Sequence, residues 1–187
     1  MDDKNFIKTY FDIFQKKALN SNINKELILL KNMIIQTKKK NAKIILIGNG
    51  GSSAIASHVS VDLNKAVGIR SMNFNEYDLI TCLSNDFGYE NWVSKALDYH
   101  LDKNDLTIII SSSGNSQNLI NAAKFIRRKK NKLVTFTGFS KTNKLSKYSS
   151  LSFWVDSNAY NIVENTHQLW LTLVCDMIIG KMEYKSS

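Results

Sequence analysis

Apolar residues recur at helical spacing through the first forty positions: Phe6, Ile7, Tyr10, Phe11, Ile13 and Phe14, then Leu27, Leu30, Met33, Ile34 and Ile35. The first set predicts a helix over 3–19 and the second a helix over 25–40. At 44–47 the pattern changes to an unbroken apolar run, Ile44-Ile45-Leu46-Ile47. A run that short and that apolar reads as a strand buried on both faces. The alternation then repeats. Strands are predicted at 71–74, 106–110, 133–137 and 151–155. Helices are predicted from Ser52 or Ser53 as cap through Asn64, then at 76–84, 91–101, 117–129 and 163–182. Strands alternating with helices define an α/β chain, a three-layer α-β-α stack around a parallel sheet. In such sheets ligands sit beyond the carboxyl ends of the strands.

Composition narrows the class without choosing a function. With 187 residues and 43% apolar content, the chain is expected to form one domain with a substantial core. It contains no 18-residue apolar run, which argues against a membrane helix. Met1-Asp2-Asp3-Lys4-Asn5 lacks the apolar core of a leader. Cys82 and Cys175 form neither a zinc spacing nor a disulfide framework, so a cytoplasmic, reducing setting is expected. Lys and Arg outnumber Asp and Glu by 25 to 16, a formal +9. That excess leaves open a nucleic acid, an anionic small molecule or no ligand at all.

Two loops carry the chemistry. Ser111-Ser112-Ser113-Gly114-Asn115-Ser116 places four hydroxyls and free backbone N–H groups at the start of a helix. Such donors suit a phosphomonoester dianion. The plainer alternative is a polar turn with a capping serine. Gly48-Asn49-Gly50-Gly51-Ser52 follows the first buried strand. It has neither the G-x-G-x-x-G spacing of a dinucleotide fold nor the lysine of a P-loop, so no nucleotide cofactor is expected.

Together with Ser84-Asn85-Asp86-Phe87-Gly88 and a C-terminal helix beginning near Val163-Glu164, these loops resemble the sugar isomerase (SIS) domain family. Within that family the likeness is to the phosphoheptose isomerase group, over about residues 5–182. The resemblance implies one SIS domain over 1–187, with an N-terminal helical segment at about 3–40 and an α/β core at about 43–182. It implies a five-stranded parallel sheet and a homotetramer with sites at subunit interfaces. By position, Asn49, Gly50, Gly51, Ser52, Asn85 and Asp86 would line the sugar. Ser111, Ser112, Ser113 and Ser116 would hold the phosphate.

An aldose–ketose isomerase needs a base that moves a proton between C1 and C2, and a group that steadies the enediolate oxygen. The resemblance places His58 and Asp62 where the family carries His and the Glu proposed as base. Asp62 is one methylene shorter, a change of about 1 to 1.5 Å in reach where positioning is part of the rate. It also places Glu164 at a family Gln and Thr172 at the family's proposed acid, a His. His167, three residues after Glu164, is expected to share its helix face. The implied catalytic set is Asp62, Glu164 and His167. A zinc or other divalent ion would be held by His58, Asp62 and Glu164. Taken singly, each has an ordinary structural reading as a hydrogen-bonded His, a surface acid or a first-turn helix acid. His100, at a helix end, is expected to be solvated.

These features describe a divergent member. The leading reading is a phosphosugar isomerase acting on sedoheptulose 7-phosphate or a related sugar phosphate, for surface-polysaccharide precursors. The alternative is a non-catalytic SIS protein that binds a sugar phosphate or a replication-initiator-type partner. Direct nucleic-acid binding rests on charge alone. The basic runs around 38–43 and 124–132 fall at helix ends before buried strands, opposite the ligand loops, where cations complement the helix dipole.

Overall fold

A computed structural model of the chain describes residues 2–19 and 22–182. Five strands form one wholly parallel sheet in the order β2-β1-β3-β4-β5. They are β1 (Ile44–Gly48), β2 (Ser71–Asn73), β3 (Leu106–Ser111), β4 (Lys132–Thr137) and β5 (Leu151–Trp154). The helices are α1 (Asp3–Phe14), α2 (Asn24–Lys39), α3 (Gly51–Asp62), α4 (Tyr77–Phe87), α5 (Trp92–His100), α6 (Gln117–Arg128) and α7 (Tyr160–Ile179). Short π turns extend α1 over Gln15–Leu19 and α3 over Leu63–Val67.

The apolar runs that read as strands are central because both of their faces are covered. Ile44, Leu46, Leu106, Ile108, Ile110, Val134 and Phe136 point into one core, closed by α2, α3 and α7. Their alternates Ile45, Ile47, Ile109 and Leu133 point into a second core, closed by α4, α5 and α6. Each such side chain removed from water contributes about 1.5–3 kcal/mol. Phe136 and Phe153 stack across β4 and β5 with ring centroids 4.4 Å apart.

Two of the boundaries that differ from expectation bear on the site. Helix α7 begins at Tyr160 rather than Val163, and α4 runs to Phe87 rather than ending at Ser84. Helix α3 starts from Gly50, whose φ of +56° only glycine adopts freely, with no side-chain cap from Ser52 or Ser53.

Helix α1 buries none of its residues, and Phe6, Ile7, Phe11 and Ile13 are exposed. Among the described residues no helix is long and apolar enough to cross a membrane.

The chain order reverses between β1 and β3. Helices leave the carboxyl ends of these neighbouring strands, Gly48 pairing with Ile110, and a crevice opens between their loops. That switch point is where open α/β sheets bind ligands. At the opposite end of the sheet, Asp105 ties β1 to β3. It accepts the backbone N–H of Lys43 at 2.9 Å, the Lys43 ammonium at 2.6 Å and the N–H of Asp102 at 2.8 Å. Burial would lower the Lys43 pKa, but its bonds to Asp102 and Asp105 outweigh it and raise it. A cavity of about 570 Å³ adjoins this tie, lined by Lys40, Lys103, Lys129, Lys130 and Lys132 among others. The basic runs therefore lie at the amino ends of the strands, away from the crevice.

Candidate active site

The crevice holds a hollow of about 400 Å³ lined by Asn49, Gly50, Gly51, Ser52, Ser111, Ser112, Ser113, Ser116, Tyr160 and Glu164. Three segments far apart in sequence meet there. The two loops are joined by a reciprocal amide pair: Asn49 donates to Asn118 Oδ1 at 3.1 Å, and Asn118 donates back to Asn49 Oδ1 at 3.0 Å. Asn118 is buried in the first turn of α6, a partner that the loop sequences alone do not reveal.

The serine loop is shaped from within. Gly114, at φ +63°, donates its N–H to the Ser111 carbonyl at 3.1 Å, and a Cβ there would overlap the Asn143 amide. The Asn115 N–H reaches Ser113 Oγ at 3.2 Å. Ser116 precedes α6 in extended conformation, yet its hydroxyl makes no capping bond. The capping-serine alternative is therefore not what the hydroxyl does here. Ser111, Ser112, Ser113 and Ser116 instead border the hollow at a helix N-terminus, an arrangement of neutral donors suited to a dianion.

Glu164 supplies a carboxylate to the hollow. It projects from the second turn of α7 over the first residue of α3, where a Cβ on Gly51 would overlap it. Ser112 Oγ donates to Glu164 Oε1 at 3.4 Å. Tyr160, one turn earlier on the same face, was not singled out from the sequence because the helix was expected to begin at 163. A start placed three residues earlier sets Tyr160 and Glu164 at the i, i+4 spacing that marks a shared face.

Several expected site residues lie elsewhere. His167 is fully buried against the sheet. Its Nε2 lies 3.1 Å from the Thr137 carbonyl, and its ring meets Phe136 edge-on at 5.7 Å. A carbonyl only accepts, so Nε2 carries the proton and Nδ1 is bare, without a hydrogen-bond partner. Burial pushes the imidazole down to about 4 despite the Thr137 bond. His167 therefore does not line the hollow beside Glu164: three residues turn the helix about 60° short of a full circle, enough to move from hollow to core.

Asp62 stands eleven residues beyond Gly51, roughly 16 Å down α3 from the hollow. Its carboxylate lies 3.4 Å from His58 Nε2, while His58 Nδ1 accepts from the Gln168 amide at 3.1 Å. Gln168 occupies Nδ1, so the ring proton is on Nε2, aimed at Asp62. The Cys175 thiol is pushed up to about 12 by burial, then by Asp62 and Asp176.

Among the described residues of one chain, no three His, Cys, Asp or Glu side chains gather as a cation would require. His58 and Asp62 are engaged with Gln168 and each other while Glu164 faces Ser112, so within one chain this set does not fit zinc. Asn85 and Asp86 also stand outside the hollow of their own chain. Both are exposed in the last turn of α4, bonded to each other at 3.0 Å, and neither lines the hollow. The unexpected extension of α4 to Phe87 carries them there. His100 is exposed, its ring tilted against Phe74 at 5.6 Å.

A parallel sheet with a serine loop and a glycine loop meeting at its switch point defines a phosphate-binding α/β class, and comparison sharpens it. Residues 10–138 match the SIS domain, and the chain belongs to that family. It is 30% identical over 182 residues to the phosphoheptose isomerase of Sulfurimonas denitrificans, covering 94% of this chain and 92% of that protein. Identity to a phosphoheptose isomerase of Helicobacter pylori is 28%, over 97% of this chain and 98% of that one. The structure of a phosphoheptose isomerase from Francisella tularensis superposes with a TM-score of 0.88 at 20% identity, covering 97% of this chain and 100% of that one. That likeness shows a shared fold.

Proposed function

We propose that the chain is a sugar-phosphate isomerase that interconverts sedoheptulose 7-phosphate, or a related ketose phosphate, with its aldose in surface-polysaccharide precursor synthesis. The observation that carries this reading is the hollow itself, where one carboxylate, Glu164, faces a phosphate-type serine loop. Full-length likeness to phosphoheptose isomerases supports the same reaction.

In the ketose-to-aldose direction, the Glu164 carboxylate takes a proton from C1, the C1–H electrons form a C1=C2 double bond, and the C2=O2 π electrons move onto O2 as negative charge. Hydroxyls and backbone N–H groups at the helix N-termini steady that oxygen. The proton returns to C2, O2 gains a proton and O1 loses one. No oxidant or reductant is consumed. Ser111, Ser112, Ser113 and Ser116 hold the phosphate, and Asn49, Gly50, Gly51 and Ser52 border the sugar.

The working unit in this proposal is one SIS domain assembled as a homotetramer, with hollows at subunit interfaces. The exposed apolar residues of α1 support association. Asp62 and His58, a helix length from their own hollow, could serve one only from a neighbouring copy. A cytoplasmic setting suits the two free cysteines.

Solvent-deuterium exchange into C1 or C2 of sedoheptulose 7-phosphate, followed by NMR, tests the reaction. Incorporation is expected for the wild type, with a loss of about 10²–10⁴-fold in Glu164→Gln. Phosphate-ester binding without any exchange would favour the non-catalytic reading.

A further inference from the structure

We propose that Tyr160, braced by Phe139, is a specificity-determining wall of the hollow that sets how long a sugar chain fits between the phosphate and Glu164. This rests on the isomerase reading above. Tyr160 borders two hollows at once: the polar one just described, and a second of about 530 Å³. The second is lined by Phe6, Thr9, Tyr10 and Ile13 of α1 and by the 157–162 segment. Tyr160 is the lining residue they share, so its side chain is the partition between them.

That partition is held in place at a cost. Phe139 lies in the left-handed region at φ +54°, a conformation that a bulky residue rarely adopts. Its backbone is fastened on both sides: its N–H donates to the Ser157 carbonyl at 2.9 Å, and its carbonyl accepts from Trp154 Nε1 at 3.3 Å. The adjoining Gly138 N–H donates to the Ser112 carbonyl at 2.9 Å, which ties this turn to the serine loop. The turn presents the Phe139 ring edge-on to Tyr160, with centroids 4.9 Å apart. Strain fastened this fully is the kind retained where a side chain must be aimed. Here it aims an aromatic brace at a residue that is itself 59% exposed and contributes little to the core.

The consequence for the ligand follows from fixed ends. The serine loop holds the phosphate, and Glu164 must reach C1 and C2. Carbons between these ends differ in number between five-, six- and seven-carbon ketose phosphates. The space for them is bounded by Tyr160, the residue that also lines the second hollow.

The test measures kcat and KM of wild type, Tyr160→Ala, Tyr160→Phe and Phe139→Leu with ribulose 5-phosphate, fructose 6-phosphate and sedoheptulose 7-phosphate. Wild type is expected to discriminate by length. Tyr160→Ala should erase about tenfold of that preference, mainly by raising KM for the preferred sugar with kcat nearly kept. Tyr160→Phe should keep the preference, because the ring rather than the hydroxyl forms the wall. Phe139→Leu should fall between. A length profile unchanged in an active Tyr160→Ala enzyme would overturn the wall and leave the isomerase intact. Wild type inert toward all three sugars would overturn the isomerase reading and the wall with it.

Discussion

The two ends of the sheet are built on opposite electrostatic plans. At the carboxyl ends, the hollow is lined by hydroxyls, amides and glycines around one carboxylate, with no lysine or arginine among the described residues of its wall. At the amino ends, the larger cavity carries five lysines, and a buried acid, Asp105, is satisfied by the Lys43 ammonium and two backbone N–H groups. The end built for an anion is thus the one with few formal charges. In the proposed reading, oriented neutral donors take the phosphate without placing a formal positive charge beside Glu164. The lysines at the other end complete helix termini, where cations answer the dipole.

Four perturbations would break or sharpen this contrast. Gly51→Ala has the largest expected effect on the reaction, because the new methyl displaces the flexible end of Glu164. Steady-state kinetics should show a loss of about 10²-fold in kcat/KM with thermal stability nearly unchanged.

At the opposite end the effect should fall on stability. Asp105→Ala leaves Lys43 half-paired and two N–H groups unsatisfied. Urea unfolding should register a loss of about 3 kcal/mol, with kcat/KM of the folded fraction preserved. Loss of activity beyond the unfolded fraction would mean that the two ends are coupled.

His167 gives a pH signature. Its folded value of about 4 lies below the ordinary 6.5, so the neutral ring stabilises the fold above pH 6.5. As the pH falls from 6.5 to 4 the unfolded state takes up the proton first, and up to about 3 kcal/mol is lost. Denaturation across that range should show a shallower slope in His167→Gln than in wild type.

The smallest effect belongs to the lysine cavity. Lys103→Glu with Lys130→Glu should change stability by less than about 0.5 kcal/mol and kcat/KM by less than about twofold. A larger drop in kcat/KM would show that the amino-end charge steers substrate.

Much of the fold was readable in the sequence because its two central strands carry unbroken apolar runs, and Ile44 to Ile47 and Ile108 to Ile110 permit few other readings. The two loops were readable too, since glycine and serine after a buried strand have a limited set of uses. What the sequence could not convey was rotation and distance. Glu164 and His167 differ by three positions, yet one meets the hollow and the other lies against Phe136. Asp62 follows the glycine loop closely in sequence, but the helix between them carries it roughly 16 Å away. Asn85 and Asp86 looked like loop residues until the helix before them proved longer. Tyr160 fell outside a helix expected to begin at 163, and no local pattern announces a left-handed phenylalanine at 139.

The seat of Glu164 over Gly51 also bears on how the protein matures. The two residues are separated by more than half the chain, and the later one comes from the last of the described helices. During synthesis the glycine and serine loops emerge first, but α7 also supplies Val163, Trp170, Leu171, Val174 and Cys175 to the core beneath them, so the hollow closes only with the last helix. Only when α7 docks across α3 does the carboxylate arrive. Isomerase activity would therefore report completion of the last long-range contact.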